Sequence, residues 1–242
     1  MRTVSVIVPA FNEEKLLPDT LACIRQALVP FHERGWETEV IVCDNNSTDR
    51  TADVARAGGA RVVFEPFNQI ARARNAGARA AIGQWLIFVD ADSHPSAALM
   101  ADVADLIASG RCLAGGAEVA FLEDRPLTRW GLRLWNWISR TFRWLAGSFI
   151  VCEARVFHEI GGFDERHFVG EEIHLSRALK RVARREKREI RILRHHPLVT
   201  SPRKLQLYSP WEHARFLAWT VLTFGWNARR REACAPWYDG RR

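Results

Sequence analysis

Residues 84–92 read QWLIFVDAD, an apolar run that ends in two aspartates separated by one alanine. The run is apolar throughout instead of alternating, which is typical of a strand buried on both faces of a sheet. Asp90 and Asp92 follow at its carboxyl end, and alternate residues of an extended segment point the same way. The stretch therefore predicts a buried strand that delivers two carboxylates to one site.

Three more apolar segments precede this run, and helical segments separate them. The predicted strands are Thr3–Val8, Glu39–Cys43, Arg61–Glu65 and Gln84–Val89, and the predicted helices are Asn12–Leu28, Thr48–Ala57 and Ala71–Ile82. This alternation predicts an α/β fold with a parallel sheet covered on both faces. Ligands of such sheets bind at the carboxyl ends of the strands, where Asn12, Asp44 and Asp90 fall.

The composition fits a folded, basic protein. The chain has 242 residues, of which 48% are hydrophobic, enough for one large α/β domain with or without a short appendage. Its formal net charge of +7 indicates an anionic partner, and nucleic acid, anionic lipid and phosphorylated substrates all meet that requirement.

Cysteine usage favours a reducing compartment. The five cysteines are scattered and lack CxxC spacing, which argues against a disulfide framework or a structural zinc site. No charged segment followed by an apolar stretch precedes Val4, so we expect no signal peptide and a cytoplasmic location.

Asp90 and Asp92 are candidate ligands of a divalent cation, Mn²⁺ or Mg²⁺. These ions prefer oxygen ligands and usually take one or two carboxylates together with substrate phosphates. A bound cation offsets the charge that builds on a leaving diphosphate. We expect Asp92 to bind the metal directly and Asp90 to contact the ribose, or the metal through water. The alternative is a solvated turn whose acids cap a helix that begins near Pro95.

Six short motifs follow one another between Val4 and about Leu179. They are VPAFNEE at 8–14, DNNSTD at 44–49, ARNAG at 73–77, VDAD at 89–92, GGFDE at 161–165 and GEE at 170–172. Together they resemble glycosyltransferase family 2, whose members have the GT-A fold. The resemblance implies a Rossmann-like, mostly parallel sheet with helices on both faces. It also implies transfer of a sugar from a UDP-, GDP- or dTDP-linked donor to a sugar or lipid-linked acceptor, with inversion at the anomeric carbon.

The resemblance assigns donor-binding roles residue by residue. The nucleoside pocket would be lined by Pro9, Phe11 and Glu13, and the base would form a hydrogen bond with Asp44. Arg74 would contact the base or the diphosphate, and Asn75 would support the loop that carries Arg74. The chemistry agrees, because a carboxylate suits a base N–H and an arginine suits phosphate. Alternatively, Asn12 and Asp44 are ordinary turn formers, and Arg72 or Arg79 takes the role of Arg74.

An inverting transfer needs a group that takes the proton from the acceptor hydroxyl. The family has a Glu-Asp pair after the GGFDE motif, and this chain has Glu171 and Glu172 there. The resemblance implies that Glu172 is the base and that Glu171 contacts the acceptor or assists. His174 stands where the family often has a further acid. The two glutamates also suit the start of a helix through Lys180, where acids favour the helix dipole.

Two late histidines are weaker candidates. Some relatives complete the metal site with a histidine at a comparable position, so the resemblance makes His195 and His196 candidate metal ligands; solvated or structural roles are the alternative. The polar, basic turn 200–204 is a candidate diphosphate contact or a plain surface loop.

Two segments combine tryptophan with arginine. Within 127–149, aromatic and aliphatic residues recur at intervals of three and four, with arginines on another stripe. Residues 211–231 contain an apolar run, Phe216–Trp226, too short to span a bilayer, followed by three arginines. Both segments predict peripheral contact with an anionic membrane at its inner face. Alternatively, the tryptophans pack into the protein and arginine stems cover them.

The resemblance divides the chain into residues 1–204, a glycosyltransferase domain with a donor half 1–95 and an acceptor half 96–204, and 205–242, a helical, membrane-associating extension. Dinucleotide and phosphate-loop enzymes are disfavoured because their glycine motifs are missing after the first strand. The remaining rival is a non-catalytic, basic membrane-surface or nucleic-acid binding protein on a degenerate version of the fold. The paired carboxylates argue against that rival, and we expect no nucleic-acid partner.

Overall fold

The fold is taken from a computed structural model, which describes residues 2–121 and 126–201. The strands are β1 Thr3–Ala10, β2 Glu37–Asp44, β3 Arg61–Phe64, β4 Trp85–Val89, β5 Ser93–His94, β6 Cys112–Phe121, β7 Phe149–Glu153 and β8 Glu189–Thr200. The helices are α1 Leu17–Ala27, α2 Val29–His32, α3 Thr51–Ala57, α4 Ile70–Ala80, α5 Ala97–Ala108, α6 Pro126–Phe142, α7 Ala154–Glu159 and α8 Glu171–Glu186. The expected extension 205–242, including 211–231, lies outside the described residues.

The strands form one sheet in the order β3-β2-β1-β4-β7-β6-β8-β5. The half built from β1 to β4 is parallel, as the apolar runs predict. In the other half β7 lies antiparallel between β4 and β6, while β6 and β8 are parallel and β5 pairs antiparallel with β8. The expected GT-A architecture is confirmed, and the sheet joins strands from both predicted halves of the domain.

Alternate residues of the central strands enter two separate cores. In β4, Ile87 and Val89 belong to one apolar cluster, while Leu86 and Phe88 belong to the other, and all four are fully buried. Helices α1 and α5 cover the first cluster, and helices α7 and α8 cover the second. Burial on both faces explains why β4 has no polar alternation, and it leaves the end of the strand as the place where polar groups gather.

The first helix begins later than the sequence predicts. It starts at Leu17 with a proline in its first turn, whereas Asn12 has a left-handed backbone with φ 54°. The Asn12 side-chain oxygen accepts a hydrogen bond from Thr48 N at 2.8 Å, so residues 12–16 are held as a loop against the turn after β2. That partner lies 36 residues away in sequence, which no local pattern can indicate.

The polar stripe of helix α6 contacts the protein through Asn136. The Asn136 side chain accepts from Val119 N at 3.2 Å and donates to Val119 O at 3.0 Å, so it pairs with β6 as a neighbouring strand would. Leu134 and Trp137, on the apolar stripe, are 58% and 53% exposed. Trp137 therefore does not pack into the protein, which was the alternative to membrane contact for this tryptophan. The helix ends at Phe142, seven residues before the predicted end of the segment at 149.

None of the described helices combines the length and apolarity needed to cross a membrane.

Candidate active site

The backbone around Asp90 and Asp92 is held by two distant parts of the chain. Asp90 N donates to Ser148 O at 3.3 Å, just before β7. Ser201 N donates to Asp92 O at 3.1 Å, just after β8. The short pairing of Ser93 with Thr200 continues that contact. The two aspartates therefore lie between the end of β4, the start of β7 and the end of β8.

Both aspartate side chains lie in a partly enclosed place. Asp92 is 8% exposed as a residue, and the Asp90 side chain is 19% exposed. Two carboxylates separated by one residue are an oxygen donor set that fits Mg²⁺ or Mn²⁺. The acids do not cap the following helix, because α5 is capped by Ser96, whose side chain accepts from Leu99 N at 3.1 Å.

Arg74 connects this strand end to the glutamate pair. Its Nη2 donates to Asp90 Oδ1 at 2.9 Å and to Gly147 O at 2.7 Å, and its Nη1 donates to Glu171 Oε1 at 2.8 Å. Its Cζ lies 5.2 Å from the centre of the Phe163 ring. Only 1% of Arg74 is exposed, so the guanidinium is a buried junction between α4, β4 and α8.

Charge pairing makes this burial tolerable. Burial disfavours the guanidinium charge, but Asp90, Glu171 and Glu172 more than compensate, so the pKa of Arg74 is raised. A buried ion pair of this kind is stable only when its partners remain in place. Contact of Arg74 with the base or the diphosphate stays a prediction.

Glu171 opens α8 after Gly170, whose φ of 79° puts the backbone in the left-handed region. Glu171 is 4% exposed. Burial, and then the negative charge of Glu172, raise the pKa of Glu171 to about 8, while Arg74 acts in the opposite direction. The Glu171 carboxyl therefore loses its proton at a higher pH than an exposed glutamate does.

Glu172 is half-buried and points toward the same junction. A Cβ built on Gly147 would lie 3.7 Å from the Glu172 carboxyl carbon and 3.5 Å from Arg74 Nη2. Gly147 thus has both groups beside it, and Gly147 O also accepts from Arg74. The structure brings Glu171 and Glu172 together with Asp90 around one arginine.

The residues predicted to hold the nucleoside lie at the ends of β1 and β2. Pro9 and Glu13 are buried, Phe11 is half-buried, and Asp44 is 7% exposed. Asp44 Oδ1 accepts from Ser47 N at 3.0 Å, which is the turn-forming role weighed as its alternative. The base contact of Asp44 stays a prediction, as do the pocket roles of the other three.

Asn75 fixes the GGFDE turn against α4. Its Oδ1 accepts from Phe163 N at 2.9 Å, and its Nδ2 donates to Phe163 O at 2.9 Å and to Glu165 Oε1 at 3.0 Å. A Cβ on Gly162 would lie 2.6 Å from Asn75 Oδ1, and Gly162 has a φ of 73°. This explains why the turn needs glycine at Gly162.

The neighbouring arginines have other partners. Arg72 and Arg79 lie 3.5 and 4.0 Å from Glu165 carboxylate oxygens, with side chains 41% and 60% exposed. Both remain on the outer side of α4, whereas Arg74 is buried. Sequence reasoning missed Gln69, whose Nε2 donates to Glu165 O at 2.7 Å and to His167 O at 3.0 Å. No local sequence signal marks that role.

The late histidines lie elsewhere on β8. His196 Nδ1 is 2.9 Å from Asp102 Oδ2 of α5, and His195 is exposed. The backbone pairing brings Thr200 and Ser201 beside Asp92 instead. His196 thus has Asp102 as its carboxylate partner. Metal ligation by His195 or His196 stays a prediction without geometric support. Residues 202–204 of the basic turn lie outside the described residues.

A second metal-compatible group lies next to the GGFDE turn. Asp164, His167 and His174 each offer one ligand atom, and these atoms all lie within 4.8 Å of one another. The two imidazole rings stack with centroids 4.1 Å apart. Hydrogen bonds from Arg166 hold the pKa of Asp164 below its usual value. Two imidazoles and a carboxylate suit transition metals. His174 was noted from the sequence because it stands where the family often has an acid, but His167 was not identified.

The chain is similar in sequence to known proteins. Residues 5–163 match the profile of the family described as "Glycosyl transferase family 2". The chain is 37% identical over 137 residues to an uncharacterized glycosyltransferase of Mycobacterium tuberculosis, covering 57% of this chain and 54% of the relative. It is 31% identical over 145 residues to undecaprenyl-phosphate 4-deoxy-4-formamido-L-arabinose transferase of Pseudomonas aeruginosa, covering 55% of this chain and 40% of the relative. The chain thus spans about half the length of the curated relatives it matches, or less.

The fold is also similar to that of solved structures. One is glucosyl-3-phosphoglycerate synthase of Mycobacterium tuberculosis, in complex with Mn²⁺, UDP and glucosyl-3-phosphoglycerate. The TM-score is 0.63 at 20% identity, and the match covers 91% of this chain and 77% of that one. At this identity the similarity supports the fold alone.

Proposed function

The chain belongs to glycosyltransferase family 2, and from this premise we propose that it moves a sugar from a nucleoside-diphosphate donor to an acceptor hydroxyl with a divalent cation. The observation that carries the proposal is the junction at Arg74, which bonds both Asp90 and Glu171. The buried guanidinium of Arg74 thus contacts both the expected donor side and the expected acceptor side of the site. The structural neighbour's complex with Mn²⁺ and UDP supports the choice of metal and donor class.

Asp92 and Asp90 are the residues that would hold Mn²⁺ or Mg²⁺. When bound there, the cation offsets the negative charge of the donor diphosphate. One Asp90 oxygen is engaged by Arg74, and Asp92 is our choice for the main ligand. Arg74 in turn orients the Asp90 carboxylate and lowers the cost of gathering several acids in one place.

Glu172 is our choice for the base. It takes the proton of the acceptor hydroxyl as the oxygen attacks the anomeric carbon, and the bond to the donor diphosphate breaks on the opposite face. Its partner Glu171 is buried, bonded to Arg74 and has a raised pKa, so Glu171 is suited to orient the junction. A general base on the acceptor side is what a transfer with inversion requires.

The donor nucleotide that we propose is UDP, GDP or dTDP, held by the ends of β1 and β2. Pro9, Phe11 and Glu13 would line its pocket and Asp44 would bond to the base. The buried position of Asp44, at 7% exposure, supports specific recognition because a buried carboxylate needs hydrogen-bond donors.

We further propose a lipid-linked acceptor and peripheral contact with a membrane. The support is the outward face of α6, where Leu134, Trp137 and Phe142 are 58%, 53% and 49% exposed. Apolar residues on a helix rich in arginine suit a membrane interface. The name of the Pseudomonas aeruginosa relative, which contains a phosphorylated polyprenol, agrees with such an acceptor.

The function is tested by incubating the protein with UDP-, GDP- and dTDP-sugars and Mn²⁺, and measuring release of the nucleotide. We expect release with one donor class, stopped by EDTA and restored by Mn²⁺. If no donor is bound and no nucleotide is released, the non-catalytic binding protein becomes the better hypothesis.

A further inference from the structure

A basic cavity lies between the end of α6 and the second half of α8, away from the Asp90–Glu172 junction. Its volume is about 500 Å³, within the range of roughly 300–1,000 Å³ that small-molecule sites occupy. Of the residues that the structure describes, nine line it: five with cationic side chains and four others, none of them carrying a carboxylate. The five are Arg143, Lys180, Arg184, Lys187 and Arg188.

One of the five cations is neutralised by protein acids. Arg188 Nη1 lies 2.5 Å from Glu153 and 3.6 Å from Glu186. Its Nε is buried and has no hydrogen-bond partner in the described part of the chain. The other four have no carboxylate within 4.0 Å among the described residues, so the cavity retains an excess of positive charge.

Helix ends account for part of this charge but not for all of it. The cavity lies at the C-termini of α6 and α8, each equivalent to roughly half a negative charge. Lys180 Nζ donates to Phe142 O at the end of α6. Two helix ends thus balance about one of the four remaining cations. Burial and then the charges of Arg184 and Arg143 lower the pKa of Lys180, which agrees with an uncompensated cluster.

The cavity is too far from the junction to belong to the donor site. Lys180 follows Glu172 by eight residues and Arg184 by twelve. At 1.5 Å per helical residue these positions lie about 12 and 18 Å further along α8. These two side chains therefore lie away from the Asp90–Glu172 junction.

We propose that this cavity binds a phosphate or diphosphate group of a ligand other than the sugar donor. Clustered arginine and lysine donors in a concave site are the chemistry that recognises phosphate oxygens. The volume exceeds that of a lone phosphate ion, which favours a phosphate ester. The ligand is either a soluble phosphate ester or the phosphorylated headgroup of a lipid, since both present the same oxygens.

The experiment is calorimetric titration with inorganic pyrophosphate in EDTA, so that neither donor nor metal takes part. The test variant is the double substitution Arg184→Ser with Lys187→Asn; asparagine tolerates the left-handed backbone of Lys187, with φ 54°. The matched control is Arg177→Ser with Arg181→Ser, which removes the same charge from exposed positions of α8 that do not line the cavity. We expect the test variant to bind at least tenfold more weakly and the control to stay within twofold of the wild type.

A second arm separates the two sources. Phosphatidylcholine vesicles containing phosphatidic acid are compared with vesicles of equal charge containing phosphatidylserine. Pyrophosphate binding points to a soluble ester, whereas binding only to phosphatidic acid vesicles points to a headgroup; both support the proposal if the test variant alone loses binding. Equal losses in the two double variants, or no binding in either arm, would overturn it. Because no sugar donor is present, these results are independent of the proposed transferase activity.

Discussion

Arg74 donates to Asp90 through one terminal nitrogen and to Glu171 through the other, at 2.9 and 2.8 Å. This buried arginine joins the end of β4, where the metal is proposed to bind, to the start of α8, where the base is proposed to lie. The two carboxylates are 81 residues apart in sequence. One buried side chain therefore connects two carboxylates that are far apart in sequence.

Replacing Arg74 with methionine should destabilise the protein. The substitution leaves Asp90 and Glu171 in a buried place without their partner, and breaking a buried pair in this way costs about 3–5 kcal/mol. Urea unfolding followed by circular dichroism measures the loss. The control is Arg79→Met, whose side chain is 60% exposed, and which should change the free energy of unfolding by less than about 0.5 kcal/mol. Equal effects of the two substitutions would show that the junction has no special role.

Glu171 should make the stability depend on pH. Its pKa in the folded protein is about 8, against 4.5 for a glutamate in water, so the folded state holds more protons than the unfolded state between these values. The free energy of unfolding should therefore fall as pH rises from about 4.5 to 8. Glu171→Gln should flatten this fall, and Glu189→Gln, at an exposed position, should not. Urea unfolding at pH 5, 6.5 and 8 provides the comparison; parallel pH profiles for wild type and Glu171→Gln would refute the assignment.

Glu172→Gln should separate binding from transfer. Glutamine keeps the size of the side chain and cannot take a proton, so loss of a general base should slow transfer by about 10²–10⁴-fold. The affinity for the sugar nucleotide, measured by calorimetry, should change by less than threefold. Unchanged transfer in this variant would move the base to another residue.

Two adjacent glycines should respond differently to alanine. Gly161 and Gly162 both have positive φ values, 81° and 73°, so each substitution carries a backbone penalty of about 1–2 kcal/mol. Of these two positions, Gly162 is the one where the new Cβ would meet another group, Asn75 Oδ1 at 2.6 Å, whereas no atom of the described residues lies within 4 Å at Gly161. Gly162→Ala should therefore be the more destabilising variant in urea unfolding. The reverse order would contradict the proposed fit between Asn75 and the turn.

The sequence was sufficient for the parallel half of the sheet because each strand there contains an apolar run, and β4 is apolar and buried over its whole length. Burial on both faces leaves that local mark, and the carboxylates after β4 follow from it. The start of α1 could not be predicted, since the side chain of Asn12 bonds Thr48 across 36 residues. The burial of Arg74 was hidden for a similar reason, because helix α4 has arginines at 72, 74 and 79 and only tertiary contacts distinguish them.

The most direct test of the account is calorimetric binding of UDP-, GDP- and dTDP-sugars with Mn²⁺ to three proteins: the wild type, Asp92→Asn and Asp102→Asn. Asp102 is a matched control, because it lies on α5 and pairs with His196. The account predicts binding of one donor class to the wild type and to Asp102→Asn, and at least a tenfold loss in Asp92→Asn and in the wild type with EDTA. Donor binding that is unchanged in Asp92→Asn and indifferent to EDTA would contradict it.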